Sequence, residues 1–325
     1  MRCTQNPTMG EEWRKGWHPE YIPQKSTSDY VLIVGGGPSG LEAARGLGQR
    51  GHQVALAEAG DQVGGRVVSE ATLPGLSAWK RVADYRDYQI SKMANVNIYR
   101  QSELTADEVL KFDADNVVLA TGSKWSTDGI GRSNRNRIAR SDAARIMAPE
   151  EVLRGATPSG PIVVFDDDYY YMAGLIAEKL RAEGHEVTYV TPAADVSHWT
   201  HNTLEQDRIQ TKLMQMGVRI VPLHNVAEVH DNNVDLSCVY TGRPLSVPCQ
   251  TFIPVTMRSS SDALYHELIV QKGVSVNRVS RIGDCFAPGT IAAAVYSGHR
   301  FAREFGEPVA DGVPFKRELP RLAAD

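Results

Sequence analysis

The sequence predicts an α/β chain of two nested Rossmann-like domains, and three observations predict it. Val31 to Glu58 (VLIVGGGPSGLEAARGLGQRGHQVALAE) reads as strand, glycine-rich turn, helix and strand. A second stretch from Pro161 to Val190 repeats that frame: Ala44, Gly51 and His52 fall on Ala177, Gly184 and His185 at a constant offset of 133 residues. A late Arg281-Ile282-Gly283-Asp284, followed by a helical pattern, places the end of the first domain beyond the second one.

The bulk properties agree with a folded two-domain protein. A length of 325 residues gives room for two domains of ordinary size. Hydrophobic residues make up 42% and charged residues 23%, a balance that buries a core. A net charge of −4, with one short cationic stretch at Arg132–Arg140, argues against nucleic-acid binding. No apolar run reaches the roughly 18 residues of a membrane span, so no membrane insertion is expected. The N-terminal stretch lacks the apolar core of a secretion signal. Cysteines at 3, 238, 249 and 285 show no framework spacing, which suits a reducing compartment; the expected location is cytoplasmic.

In chain order, residues 1–29 are polar, carry Trp13 and Trp17, and read as an extended arm. Strand, helix and strand follow to Glu58. Leu76 to Met93 has a helical pattern and Val96 to Tyr99 a strand pattern, and Thr105 with Glu108 forms a capping box. Asn116 to Ala120 is a buried strand broken by Thr121-Gly122. The second unit opens at Pro161 and runs through a helix to Val187–Val190. A helix over Leu204–Met216 and a strand over Val218–Pro222 follow. Alternating segments between Val226 and Val255 predict an antiparallel meander. The last helix spans about Thr290–Phe305. The expected division is an arm (1–29), a nucleotide domain (30–128 with 275–307), a degenerate NAD(P)-like domain (129–274) and a tail (308–325).

The glycines of the first unit have separate tasks. Gly35, Gly37 and Gly40 form GxGxxG: one permits the tight turn, one admits a pyrophosphate to the backbone, one lets helix and strand approach. Pro38 and Ser39 open the helix, whose free N–H groups and partial positive charge attract phosphate. Glu58, 18 residues past Gly40, is placed to accept from ribose hydroxyls. An acid there repels a 2′-phosphate, favouring FAD, ADP or NAD over NADP. Three further pieces favour a flavin nucleotide: Gly64-Gly65-Arg66 just past Glu58, Ala120-Thr121-Gly122 at a strand end, and Gly283-Asp284 before the last helix, where an Asp can bond a ribityl hydroxyl.

In the second unit, Gly35, Gly37 and Gly40 are replaced by Asp168, Tyr170 and Ala173. Asp166, Asp167 and Asp168 would repel a diphosphate, and Tyr169 to Tyr171 bring bulk where glycine admits ligand. NAD(P)H binding there is disfavoured. His198 and His201 flank Trp199 as a metal-ligand pair with no third ligand apparent, and read as surface or interface residues. Cys238, Cys249 and Cys285 read as buried small hydrophobes and His299 as structural. No nucleophile–base constellation stands out, so no catalytic residue is assigned. The absence of CxxC argues against a dithiol–flavin reductase.

These motifs together resemble the C-terminal half of the trimethylamine dehydrogenase family. The resemblance runs through Cys3-Thr4-Gln5-Asn6, Gly10-Glu11-Glu12-Trp13, Gly16-Trp17-His18-Pro19, the fingerprint, Ala120 to Trp125, Asp166 to Met172, Gly283-Asp284 and Ala287 to Ile291. The DDD–YYM and APGTIAAAVYSGHR runs look nearest the dimethylglycine and N-methylproline demethylase branch. The resemblance implies two nested domains of the glutathione-reductase type, with FAD, or ADP in its place, on the first. It implies that Cys3 matches the last of four cysteine ligands of a [4Fe–4S] cluster. The other three would lie in a CxxCxxC run upstream, beside a barrel carrying FMN, and this chain contains neither. One cysteine cannot hold such a cluster.

The expected partners are therefore an FMN-barrel domain or subunit and an electron acceptor such as an electron-transfer flavoprotein, in an oligomer. The leading expectation is the electron-handling half of an oxidoreductase that N-demethylates an amine. The alternatives are an NAD(P)H-dependent flavin reductase of the 2,4-dienoyl-CoA reductase kind and a non-catalytic ADP-binding assembly subunit.

Overall fold

A computed structural model describes residues 3–11, 13–14, 17, 21–25, 29–271 and 278–307. The chain forms two compact units: Met1–Val68 with Trp79–Ser123 and Ser260–Asp325, and Ser69–Ala78 with Lys124–Ser259. The tail 308–325 lies outside the described residues, as do Glu12, Gly16, His18 and Pro19.

The first unit is built on a five-stranded parallel sheet. Its spatial order is Val279–Arg281, Asn116–Leu119, Tyr30–Val34, Gln53–Ala57, Val96–Tyr99. Val31, Leu32 and Ile33 are fully buried, as a strand covered on both faces requires. Leu41 and Leu47 of helix Pro38–Arg50 and Ala302 of helix Ile291–Glu304 cover one face. Ala106 and Val109 of helix Ala106–Lys111 and Leu268 of helix Ala263–Ile269 cover the other. Leu264, Tyr265 and Leu268 thus place residues 263–269 in this unit, whereas the sequence division assigns 129–274 to the other. The strand order reverses between Tyr30–Val34 and Asn116–Leu119, the crevice where open α/β sheets take ligands.

The second unit carries a parallel sheet in the order Thr251–Val255, Ile162–Asp166, Val187–Val190, Arg219–Val221. A separate sheet holds Pro244–Pro248, Asn233–Cys238 and His224–Val229 as an antiparallel meander, with Ala139–Arg140 parallel at its edge. The predicted meander therefore ends at residue 248. Thr251–Val255 is buried at every position and joins the parallel sheet instead. It is an edge strand, which is why Pro254 is tolerated.

Three further expectations change. Leu76–Met93 is a 3-10 turn, Ser77–Lys80, followed by helix Arg81–Ile90, because Leu73 and Leu76 belong to the core of the second unit. The helix expected from Leu204 is Gln206–Gln215; Leu204 is exposed and adopts a left-handed backbone, φ 60°. The arm is not simply extended: among its described residues, Met9, Glu11, Arg14 and Trp17 each donate to a carbonyl three residues earlier. The capping box on Thr105 and Glu108 forms as the spacing predicts.

Candidate functional site

The predicted site residues of the first unit converge at the reversal point of its sheet. Gly35 ends its strand with φ 108°, and a β-carbon there would lie 2.4 Å from the carbonyl oxygen of Ala120. A β-carbon on Gly40 would lie 1.9 Å from the Gly35 carbonyl oxygen. Gly65, at φ 53°, brings its backbone against Gly37: its β-carbon would be 3.0 Å from Gly37 Cα and 3.9 Å from Pro38 Cδ. Ser39 lies under Gly283, whose β-carbon would meet the Ser39 hydroxyl at 2.4 Å. Gly37 differs from these, since nothing stands within 4 Å of the position its β-carbon would take. Gly37 caps the helix without a side-chain hydrogen bond. An uncapped helix N-terminus facing open space is a cradle for phosphate.

Glu58 lies beside this cradle. One carboxylate oxygen accepts from Gly36 N–H at 2.7 Å and the other from Gly60 N–H at 2.7 Å. These bonds orient the carboxylate and leave lone pairs for ribose hydroxyls.

Asp284 anchors the opposite rim. It is 5% exposed and accepts from the Ser123 hydroxyl at 2.9 Å and from Gly289 N–H at 3.1 Å. Arg66 Nε lies 3.5 Å from the same carboxylate, and its Nη2 donates to the Gly289 carbonyl at 2.7 Å. The Thr121 hydroxyl donates to the Ser261 carbonyl at 2.6 Å and lies 3.1 Å from Cys285 Sγ. Burial pushes the Cys285 thiol up, so it stays protonated. Gly122 follows at φ 78° with open space around it. Ser123 lies in the Ala120–Trp125 run, but its pairing with Asp284, 161 residues away, carries no sequence signal.

A buried charge cluster ties the Cys3 arm to the fingerprint helix. Glu42, one turn into that helix, accepts from Arg86 Nε at 2.7 Å, Arg45 Nε at 3.1 Å and His299 Nδ1 at 3.0 Å. Burial pushes its carboxyl up, yet Arg45, the His299 bond and Arg86 outweigh burial and hold it well below the usual range. Arg86 Nη2 reaches the carbonyls of Thr4 and Gln5, at 3.4 and 3.3 Å. Cys3 Sγ is a free thiol that accepts from Gln5 N–H at 3.4 Å. An acid in the apolar helix face (Leu41, Ala43, Ala44), with Arg45 three residues on, is the signal that could have exposed this cluster.

The matching loop of the second unit is closed by its own side chains. The Asp167 carboxylate accepts from Ser133 N–H at 2.9 Å on each oxygen and from Asn134 N–H at 2.9 Å. Gly131 is so near that its β-carbon would lie 2.3 Å from Asp167 Oδ2. Asp167 thus ties the strand end to the 133–134 loop, while the helix N-terminus at Tyr170 carries aromatic bulk where the first unit has Gly37. Asp166 accepts from the Tyr189 hydroxyl and from Tyr169 N–H at 2.8 Å. Burial raises its pKa to about 7, against the Tyr189 bond. Tyr170 packs edge-on against Tyr171 and Trp199, with centroids 4.6 and 4.8 Å away.

Two dinucleotide folds, one with an open glycine turn and one with Asp168 and Tyr170 in place of those glycines, define the class as a nucleotide-binding α/β oxidoreductase fold. Residues 29–152 match the family described as pyridine nucleotide-disulphide oxidoreductase, and 147–247 the one described as OYE-like second alpha/beta domain. The chain is homologous to dimethylamine dehydrogenase of Hyphomicrobium sp. (strain x), at 36% identity over 97% of this chain and 47% of the relative. It is 28% identical to N,N-dimethylglycine/sarcosine dehydrogenase of Chromohalobacter salexigens over 93% of this chain and 47% of the relative, so identity does not single out the dimethylglycine branch. The structure of histamine dehydrogenase from Rhizobium sp. 4-9 superposes with a TM-score of 0.94 at 44% identity, covering 99% of this chain and 51% of that one. The chain spans about half the length of the curated relatives it matches. Among the described residues, no helix is long and apolar enough to cross a membrane.

Proposed function

We propose that this chain is the nucleotide-binding, electron-handling half of an iron–sulfur flavoprotein that oxidatively N-demethylates a secondary or tertiary amine. The observation that carries the reading is the pairing of an open cradle at Gly37 with a second turn where Tyr170, packed on Tyr171 and Trp199, stands in place of that glycine. Gly35, Gly37, Pro38, Ser39 and Gly40 would hold the diphosphate of FAD, or of ADP in its place, and Glu58 the adenosine ribose. Gly65, Arg66, Thr121 and Gly122 would line the cradle, and Gly283 and Asp284 would face a ribityl chain. FAD, when bound, supplies reversible acceptance of one or two electrons.

With the second loop closed, pyridine nucleotide has no cradle to donate from, and electrons come from an amine oxidised elsewhere. In this reading that site is an FMN barrel, as an upstream domain or a partner subunit. Cys3 supplies the last ligand of a [4Fe–4S] cluster whose other three come from the barrel side. The N–H···S bond from Gln5 suits a ligating thiolate, since such bonds tune cluster potential. Arg86 would position the arm by holding the Thr4 and Gln5 carbonyls. An electron acceptor such as an electron-transfer flavoprotein would complete the circuit.

The test is co-expression with a barrel protein that carries CxxCxxC. The expected product is a brown complex with iron and acid-labile sulfide that reduces a dye when given an amine. A barrel that does not associate with the chain would overturn the partner-subunit form of the reading. The flavin-reductase alternative is opposed by the closed loop. A colourless chain carrying ADP and no redox activity in the complex would instead indicate an assembly subunit.

A further inference from the structure

The second unit holds a cluster that the nucleotide reading does not use. Asp195, His198 and His201 share one short turn, and one ligating atom from each lies within 4.8 Å of the others. Asp195 Oδ1 is 2.6 Å from His198 Nδ1, and its Oδ2 is 2.7 Å from His201 Nε2. The sequence shows the histidine pair; the turn brings Asp195 to it as the third donor.

The backbone beneath is held firmly. Val196, Ser197 and Thr200 are fully buried. The Thr200 hydroxyl donates to the Ser197 carbonyl at 2.7 Å, Val196 N–H to Gln210 Oε1 at 3.2 Å, and Trp199 N–H to the Tyr169 carbonyl at 2.8 Å. The donor side chains themselves meet solvent: His198 is 52% exposed, His201 50% and Asp195 23%. A fixed base under accessible donors costs little ordering entropy when an ion enters.

We propose that Asp195, His198 and His201 bind a first-row divalent transition-metal ion of the Zn²⁺ class. Two imidazoles and one carboxylate are borderline donors that suit Zn²⁺, Cu²⁺ or Ni²⁺ and select against Mg²⁺, which prefers all-oxygen shells. Metal–donor bonds of ~2.0–2.1 Å put neighbouring donors about 3.3 Å apart, so an ion would replace the two hydrogen bonds of 2.6 and 2.7 Å with a slightly wider spacing. Three protein donors leave the remaining position to water. The ion would clamp the turn that carries Trp199 onto Tyr170, so its arrival is felt at the indole.

The full chain is titrated with Zn²⁺ against a competing chromophoric chelator, with Mg²⁺ in parallel. Quenching of indole fluorescence by Cu²⁺ is the second readout. Zn²⁺ should bind at about one equivalent, with millimolar Mg²⁺ without effect. H198A, H201A and D195N should each weaken it about tenfold or more, and H224A and C238S should leave it unchanged. Trp199→Phe should remove most of the Cu²⁺ quenching. Circular dichroism checks that the variants fold. Equal Zn²⁺ uptake by the wild type and the H198A/H201A variant, or no uptake by the wild type, would overturn the proposal.

Discussion

Gly40 meets Gly35 so closely that a β-carbon on Gly40 would sit 1.9 Å from the Gly35 carbonyl oxygen, while Gly37, three residues earlier, faces open space. The two positions therefore separate folding from binding. Gly40→Ala forces strand and helix apart and should cost about 1–3 kcal/mol of stability. Gly37→Ala, at a backbone φ of −72°, should unfold like the wild type and yet retain less adenine nucleotide. Denaturant melts, paired with an assay of released nucleotide, check both. Equal nucleotide loss and equal destabilisation in the two variants would contradict the geometry.

Asp167→Ala leaves the N–H groups of Ser133 and Asn134 without their acceptor. A loss of about 1–3 kcal/mol is expected in urea unfolding. The variant should still fail to bind NADH, because Asp166, Asp168 and the Tyr169–Tyr171 bulk remain. NADH fluorescence titration tests this, and tight binding by the variant would show that Asp167 alone closes the loop.

Asp166 gives stability a pH dependence of known sign. Burial raises its carboxyl to about 7 in the folded chain, against an ordinary value of 3.8. The folded state therefore keeps a proton that the unfolded chain releases. Stability should fall as pH rises from about 4 to 7, by up to about 1.4 kcal/mol per pH unit from this group, and flatten above that. Asp166→Asn should remove the slope. Urea midpoints measured across that window decide, and an unchanged slope would refute the assignment.

Arg86→Met strips one partner from the buried Glu42 carboxylate and releases the carbonyls of Thr4 and Gln5. The cost should be about 3–5 kcal/mol, as for other broken buried pairs. In a Cys238→Ser background, Cys3 should alkylate faster in this variant, because its arm has lost an anchor. An unchanged alkylation rate would mean that Arg86 does not hold the arm.

The sequence made some of this legible and hid the rest for physical reasons. The cradle was readable because glycines serve where chain segments nearly touch: Gly35, Gly40 and Gly65 meet backbone, and Gly283 meets the Ser39 side chain. The replacement of glycine at Asp168 and Tyr170 was equally readable. The role of Asp167 was not, because its partners Ser133 and Asn134 lie more than thirty residues away in an irregular loop. Asp195 was hidden for a related reason: its position beside the histidines depends on a 3-10 turn that begins in a left-handed Ser197. Thr251–Val255 looked like part of a meander because its length suited one, whereas its burial at every position belongs to a parallel sheet. The helix at Ala263–Ile269 was missed because its short apolar face shows no long period.

The measurement that bears most directly on the account is nucleotide content and pyridine-nucleotide binding of the purified full chain. Mass spectrometry of the released ligand should find about one adenine nucleotide, FAD or ADP, per chain in the wild type and far less in Gly37→Glu, with no NADH or NADPH retained by either. Retention of NADH or NADPH by the wild type, or full nucleotide content in Gly37→Glu, would contradict the reading of one open and one closed site.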